Sequence, residues 1–486
     1  MQRDIAVKRL VLLGGGHGHV HVIKMMGMDP MKGVDVTLIT RDVETPYSGM
    51  LPGFVAGHYE RSECHVDLAK LCSFSGVALV HAEACRLDRE RREVHCTDGR
   101  PPIRYDVLSI DIGISPKPLP EVLQTDRLTI TPVKPIDGFA RRWDVILARA
   151  LAAGATGRPV RLAVVGGGAG GTELCFAMHH RLQQELAAAG AGAGTGVLQV
   201  TLYNRGPTLV AQHNKGVQRI LGRLAREKGI AIELRAEIVA VEMRSSASTD
   251  GDDILVASDG RRFPFDEAVW CTDAAAQPWL KETGLETTEE GFIRVGATLE
   301  SCNTPGVFAC GDVAHLTASP RPKAGVFAVR AGPPLVANLR RTLLSQPLEP
   351  WTPQEQFLGI IGTGDAYAVA SKGPIAIEGA FLWRLKDKID RTWMAIYNEL
   401  PDKEAMMRDK ARARRDALVA ALAAGGAAAD EALTALEDND GGAAPPVARA
   451  MGADTVALLS AARMRCGGCG SKVGARVHHR PLLPLL

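Results

Sequence analysis

Leu162-Ala163-Val164-Val165-Gly166-Gly167-Gly168-Ala169-Gly170-Gly171 is the stretch that decides the fold. A short apolar run, Leu162 to Val165, leads directly into glycines at the spacing Gly166-x-Gly168-x-x-Gly171, and a helical stretch follows. Strand, glycine turn and helix in that order meet the requirement of a dinucleotide fingerprint. Backbone N–H groups at a helix start, with no Cβ in the way, can approach a pyrophosphate and stabilise its charge. The same order occurs near the beginning of the chain, where Leu10 to Leu13 runs into Gly14-Gly15-Gly16-His17-Gly18. There Gly14, Gly15, Gly16 and Gly18 keep the cradle, but His19 takes the third glycine position, so this helix is expected to pack less closely on its strand. Two such loops imply two nucleotides and electron transfer between them.

The acidic residue that usually bonds the ribose hydroxyls about 20 residues further on is missing from both halves. The second strand of the first half ends Ile39-Thr40-Arg41-Asp42, so the Thr40 hydroxyl, Arg41 or Asp42 is left to hold the ribose. In the second half Val200 to Tyr203 runs into Asn204-Arg205. An arginine there suits a 2′-phosphate, hence NADPH, and equally suits a solvated turn.

The fold class that follows is α/β: two dinucleotide-binding (Rossmann-like) domains, the first of them discontinuous, plus a small C-terminal α/β region and a flexible tail. At 486 residues the chain is too long for one core and predicts two to four domains. The expected boundaries are 1–155 and 291–345 for the discontinuous domain and 156–290 for the inserted one. They continue with 346–400 for a C-terminal interface region, 401–462 for an Ala/Gly-rich acidic linker and 463–486 for a terminal stub. Pro116, Pro118 and Pro120 mark the outward crossing. The run Thr304 to Asp312 reads as a buried strand presenting an aspartate at its end, and a helix from about Gly325 to Arg341 returns the chain to the first domain.

Charge and cysteine usage narrow the function classes. With 57 Lys plus Arg against 55 Asp plus Glu, the formal net charge of +2 gives no global field for nucleic acid. The first strand begins within about ten residues of Met1, leaving no room for a signal or transit peptide, and no apolar run reaches the ~18 residues of a membrane span. The reading is cytoplasmic, or peripheral on the inner face of a membrane. The ten cysteines are scattered except for Cys466 and Cys469, which suggests reduced thiols. A zinc site at that pair has only His478 and His479 nearby, at poor spacing, so no metal is expected. Phe381, Leu385, Ile389, Trp393 and Ile396 recur at three- and four-residue steps between Arg384, Lys386, Lys388 and Arg391, an amphipathic basic helix. It would rest on a membrane surface through 381–397, or pack on the first domain or a partner subunit.

The two loops together with Val307-Phe308-Ala309-Cys310-Gly311-Asp312 resemble the pyridine nucleotide-disulfide oxidoreductase fold family, in the branch similar to type II NADH dehydrogenases; the resemblance covers roughly residues 8 to 400. It implies FAD on the first loop and NADH or NADPH on the second, with Asp312, after Gly311, bonding the ribityl chain. The family's Ala-Thr-Gly segments are degraded to Ser109-Ile110-Asp111-Ile112-Gly113 and Cys271-Thr272-Asp273, and Gly113 is carried over to the flavin site. Glu173 falls where similar enzymes place a glutamate facing the nicotinamide, and also where a helix dipole favours any carboxylate. Lys323 would put a cation near the flavin N1 and C2 carbonyl, or stand exposed. Where the family often carries a redox-active cysteine pair, Thr45 to Pro52 contains no cysteine, and Cys64 and Cys72 read as two separate thiols.

Thr45 to Gly53, Arg321 to Arg330 and Lys386 to Arg391 further resemble the dehydrogenase-like domain found fused ahead of selenide, water dikinase. Arg465 to Gly474 is similar to the opening of the dikinase itself, which assigns its cysteine and lysine to Cys469 and Lys472; only fourteen residues follow Lys472, too few for a kinase domain. The resemblances imply an FAD-dependent NAD(P)H dehydrogenase using a quinone or other small electron acceptor. Two alternatives stay open: the flavoprotein part of a selenium-reducing or selenium-delivering system, with a dikinase domain supplied in trans, and a redox-inactive FAD-binding regulatory subunit. A homodimer is an open expectation for its assembly.

Overall fold

The computed structural model describes residues 7–116, 129–134, 136–190, 197–243, 253–272 and 274–424. Asp273, Cys466, Cys469, Lys472, His478 and His479, all singled out above, lie outside the described residues. The chain divides into one unit ending at Leu400 and a second beginning at Pro401.

In the first unit β1 (Lys8–Leu13) turns through glycines into α1 (His17–Met28), followed by β2 (Val34–Thr40), β3 (Ala78–His81) and β4 (Val107–Ile110). Every residue of Leu10 to Leu13 and of Val107 to Ile110 is buried, as strands covered on both faces must be, which is why they read as continuous apolar runs. A second series follows: β5 (Ile130–Pro132), α2 (Ile136–Ala155), β6 (Val160–Val165), α3 (Ala169–Ala188), β7 (Leu198–Asn204), β8 (Ala231–Leu234) and β9 (Glu267–Trp270). The chain then returns through β10 (Val307–Ala309) to the first sheet and enters α4 (Gly325–Leu343). The sheet orders are β10-β4-β1-β2-β3 and β5-β9-β6-β7-β8, with every pairing parallel. In both, the strand before the glycine loop is central and has a later strand on one side and the next strand on the other. The loops therefore open into the crevice where strand order reverses, the position at which such sheets bind ligands.

The crossing strands lie side by side, Ser115–Pro116 pairing antiparallel with Ala274–Ala275. β5 hydrogen-bonds to β9, and Phe139, Trp143 and Ile146 of α2 bury in the second core, so residues 130–155 fold with the second sheet rather than with the first. On the return, Ala276, Leu280 and Leu285 already belong to the first core, ahead of residue 291. α4 lies along α1, where a Cβ on Gly332 would stand 2.8 Å from the Cβ of His21.

A small antiparallel sheet, β11 (Gly359–Gly362), β12 (Ala368–Lys372) and β13 (Ile375–Gly379), precedes α5 (Ala380–Asn398). The sequence periodicity locates this helix, and of the placements expected for its apolar stripe the structure excludes packing of that stripe on the first domain. Leu382, Lys386, Asp390, Met394 and Tyr397 are buried, whereas Phe381, Leu385, Ile389 and Ile396 of the expected packing stripe are exposed. The second unit contains α6 (Lys403–Ala424), a helix where a flexible linker was expected. Its Ala- and Arg-rich sequence, with Glu404–Arg408 and Arg412–Asp416 one turn apart, has high intrinsic helix propensity. No helix among the described residues is long and apolar enough to cross a membrane.

Candidate functional site

A cleft opens at the carboxyl ends of β1, β2 and β4, walled by the first glycine loop, Thr40 to Asp42, Gly113, Lys134 and Asp312. Gly14 sits at φ +91°, and a Cβ there would stand 2.4 Å from the Asp111 carbonyl oxygen; one on Gly16 would stand 2.2 Å from the Asp111 carboxyl carbon. Only glycine allows this turn so close to β4, leaving main chain to face the ligand. His17, the first residue of α1, is in the same wall; its Nδ1 is buried and has no hydrogen-bond partner among the described residues, and burial lowers its pKa to about 4. An orphaned buried nitrogen beside a cradle of glycines fits a bound dinucleotide, which would satisfy it.

At the far end the Thr40 hydroxyl donates to the Asp42 carbonyl (2.9 Å), and Arg41 pairs with Asp42 (3.0 Å) and more distantly with Glu83 (3.8 Å). Asp42 and Glu83 both line the cleft. Carboxylates from the next turn and from the segment after β3 thus stand beside the end of β2, an end that itself carries no acid. No single-strand motif reveals Glu83, because its position depends on the β2–β3 pairing.

His19 does not line this cleft. It is fully buried, its Nδ1–H donating to the Gly14 carbonyl (2.7 Å) and its Nε2 accepting from the Ser109 hydroxyl of β4 (2.8 Å). A carbonyl can only accept, which fixes the tautomer, and burial holds the ring neutral with a pKa lowered to about 4. The departure from the third glycine is therefore matched by Ser109 in the opposite strand. Gly18 and Gly311 also act from behind the cleft: a Cβ on Gly18 would stand 2.5 Å from the Cys310 sulfur, and one on Gly311 2.4 Å from Asp111 Oδ1.

Asp312 reaches the cleft as expected, and its carboxylate faces the Lys134 ammonium at 3.4 Å. Lys323 is placed differently from the expectation. Its ammonium donates to the Ala314 carbonyl (2.5 Å), lies 4.0 Å over the Phe292 ring, and has its pKa lowered to about 8 by burial. The cations that line the cleft are Arg41 and Lys134, and Lys134, which faces Asp312, comes from the crossing segment between sheets, where no sequence motif marks it.

In the second loop Gly166 sits at φ +123° against the Cys271 carbonyl, and a Cβ on Gly171 would stand 2.0 Å from the Gly166 oxygen. Gly168 and Gly170 face open space at the start of α3, leaving room for a pyrophosphate. Asn204 turns its amide onto the carbonyls of Gly206 (3.1 Å) and Thr208 (2.8 Å) and braces the loop at Gly167; Arg205 beside it is exposed.

Glu173 accepts from the Gly362 N–H of β11 (2.8 Å). Burial raises its pKa, and the Lys386 charge opposes that shift. The Lys386 ammonium donates to Asp390 (2.6 Å) and to the Gly49 carbonyl (2.5 Å); burial alone would lower its pKa, but the Glu173 and Asp390 carboxylates outweigh it. Tyr47, in the loop that carries no cysteine pair, stacks on Trp393 of α5 (4.5 Å between centroids), and His17 meets both rings edge-on. Glu173, Lys386, Asp390 and Tyr47 thus link the start of α3, α5 and the flavin-side loop. Cys64 and Cys72 are buried free thiols, and no cysteine among the described residues is in a disulfide.

Two parallel sheets, each opening a glycine loop into its switch-point crevice, with an aspartate returned to the first cleft by the last strand, define a flavoprotein oxidoreductase with two dinucleotide sites. The chain belongs to the pyridine nucleotide-disulphide oxidoreductase family, whose model matches residues 8–332. FAD and NADH or NADPH are its cofactors. It is 23% identical over 365 residues to the NADH dehydrogenase-like protein YutJ of Bacillus subtilis, covering 74% of this chain and 90% of the relative. It is 21% identical over 318 residues to the demethylphylloquinone reductase NdbB of Synechocystis sp., covering 63% and 72%. Among solved structures, NDH2 from Plasmodium falciparum in complex with NADH superposes with a TM-score of 0.63 at 12% identity, covering 81% of this chain and 99% of that one.

Proposed function

We propose that the protein takes a hydride from NADH or NADPH bound at the Gly166 loop onto FAD bound at the Gly14 loop and passes the electrons to a quinone-class acceptor. The observation that carries this reading is the pair of glycine loops, each at a helix start in the crevice of its own parallel sheet. When bound, FAD supplies hydride acceptance at N5 and onward electron transfer. The chain's own groups bind and orient. The starts of α1 and α3 would attract the two pyrophosphates, Asp312 would accept a ribityl hydroxyl, and Lys134 would supply positive charge beside it. Glu173 and the buried Lys386 and Asp390 form a charged cluster that would fix α5 and the Tyr47 loop around the reacting groups. Similarity to a demethylphylloquinone reductase and the absence of a cysteine pair in the Tyr47 loop favour a quinone over a disulfide as acceptor. The exposed apolar residues of α5, beside the exposed Arg384 and Lys388, favour peripheral contact with a membrane that holds it.

Anaerobic stopped-flow mixing of the FAD-loaded protein with NADH and then NADPH tests the reading. Rapid loss of the flavin band with either, and its return on adding a soluble quinone, is the expected result. A bound flavin that neither nucleotide bleaches would overturn it and leave the regulatory-subunit reading. Arg465 to Gly474 supports a second reading, reduction or delivery of selenium to a dikinase domain in trans, which predicts reoxidation of the reduced flavin by selenium compounds faster than by quinones.

A further inference from the structure

The buried carboxylate of Asp111 ends β4 directly beneath the first turn of α1. It is 3% exposed, and its Oδ2 accepts from the main-chain N–H groups of Gly18 (2.9 Å) and His19 (3.3 Å) while the Cys310 thiol donates to the same carboxyl group. The glycines of the region are packed around it, since a Cβ on Gly16, Gly18 or Gly311 would stand 3.0 Å or less from one of its carboxyl atoms. Asp111 therefore occupies the anion site at the start of α1, the helix end whose N–H groups and dipole a flavin pyrophosphate would also use, and it borders the same cleft.

Two anions at one helix terminus repel at low dielectric, and the repulsion favours the neutral form of whichever group can take a proton. A pyrophosphate stays ionised throughout the neutral range, so the group that can change is the carboxyl. We propose that Asp111 is the proton-accepting residue of the flavin site: when the FAD pyrophosphate docks at the start of α1, one proton passes from solvent to the Asp111 carboxylate. The inference rests on FAD occupying the Gly14 loop.

The electrostatics around the group agree. Burial raises the Asp111 pKa to about 7, while the Cys310 thiol and the N–H groups of His19 and Gly18 pull it down and the Asp312 carboxylate pushes it up. Of the titratable groups on the elements packed around it, Cys310 from the end of β10 bonds it and has its thiol pushed well above its ordinary value, while His17 and His19 of α1 turn their rings to other partners and are held neutral down to about pH 4. From the crossing segment comes Lys134, paired with Asp312. Asp111 is thus the group poised to exchange a proton near neutrality.

The test is FAD binding to the full-length apoprotein, followed by flavin fluorescence from pH 6 to 9, with calorimetry at pH 8 in two buffers of different ionisation heat. If only the protonated form binds, Kd is nearly flat below pH 7 and weakens about tenfold per unit above it, roughly a hundredfold by pH 9. Uptake at pH 8 then approaches one proton per FAD. Asp111→Asn, which keeps the shape and removes the titration, is expected to bind with a flat profile and no uptake. FAD binding that is independent of pH in the unmutated protein, or a slope retained in D111N, overturns the assignment while leaving the flavin site intact. Failure to bind FAD at any pH overturns both. If D111N does not fold, the proton count on the unmutated protein decides alone.

Discussion

Asp312, through the family resemblance, and Lys323, through its place just ahead of α4, are both candidates for the flavin side, and the structure separates them. Asp312 faces the cleft beside Lys134, whereas Lys323 is committed to the Ala314 carbonyl and the Phe292 ring. Asp312→Ala removes the expected ribityl acceptor and should weaken FAD binding by tenfold or more, the scale of a hydrogen bond to a charged group. Lys323→Met should leave FAD affinity within about twofold and act mainly on stability, since only a buried contact is lost. Equilibrium titration of both variants checks the pair, and the opposite ranking would restore Lys323 to the flavin. His19 carries a pH prediction. Its pKa is about 4 folded and near 6.5 unfolded, so the unfolded chain binds the extra proton and stability falls as pH drops from 6.5 towards 4, by about 3 kcal/mol in all. Urea midpoints at pH 7 and pH 5 for the unmutated protein and His19→Gly measure this. The variant should have a shallower acid loss but be less stable at pH 7, because the Ser109 hydroxyl and Gly14 carbonyl lose their partner.

At the scale of elements, the strands and glycine loops were legible because their signals are local: an apolar run, a turn that only glycine tolerates, and a helix start within a dozen residues. What was not legible depended on a partner distant in sequence. Ser109 explains His19, Glu83 completes the turn after β2, and Lys134 enters from the crossing segment, none of which a single window contains. α5 is the clearest case. Its three-to-four residue apolar period predicted the helix, but burial follows Lys386 and Asp390, which satisfy each other across one turn while Lys386 also donates to Gly49. Counting apolar residues cannot find such a face. Lys386→Met should therefore cost about 3 to 5 kcal/mol, because it leaves the Asp390 charge buried without its partner, and Lys386→Met with Asp390→Leu should recover much of that loss. Denaturation of the single and double variants measures the recovery. If the double variant is as unstable as the single one, the pair matters through packing and not through charge.

For the whole molecule, the consequence of burying Lys386 and Asp390 is an open apolar surface on the first unit. Phe381 is 54% exposed and Leu385, Ile389 and Ile396 are at least 40% exposed along α5, and Ile375 and Ile377 of β13 are exposed as well. Apolar groups repeated along one helix, with Arg384 and Lys388 also exposed, meet the pattern of a helix that lies in a membrane interface, with the chain attracted by anionic headgroups and held by buried apolar area. The membrane reading predicts co-sedimentation with vesicles containing phosphatidylglycerol, stronger than with neutral vesicles and weakened but not abolished by 0.5 M salt, since screening removes only the charge component. Replacing Phe381, Leu385 and Ile389 together by serine should lower vesicle partitioning by at least tenfold while leaving reduction of a soluble quinone by NAD(P)H nearly unchanged, because these side chains point away from the buried Lys386–Asp390 face. Sedimentation velocity on the same variant without lipid separates the competing expectation of a homodimer. A dimer that dissociates on the triple substitution, with vesicle binding absent from the start, would assign the surface to a second copy of the chain and remove the membrane from the account.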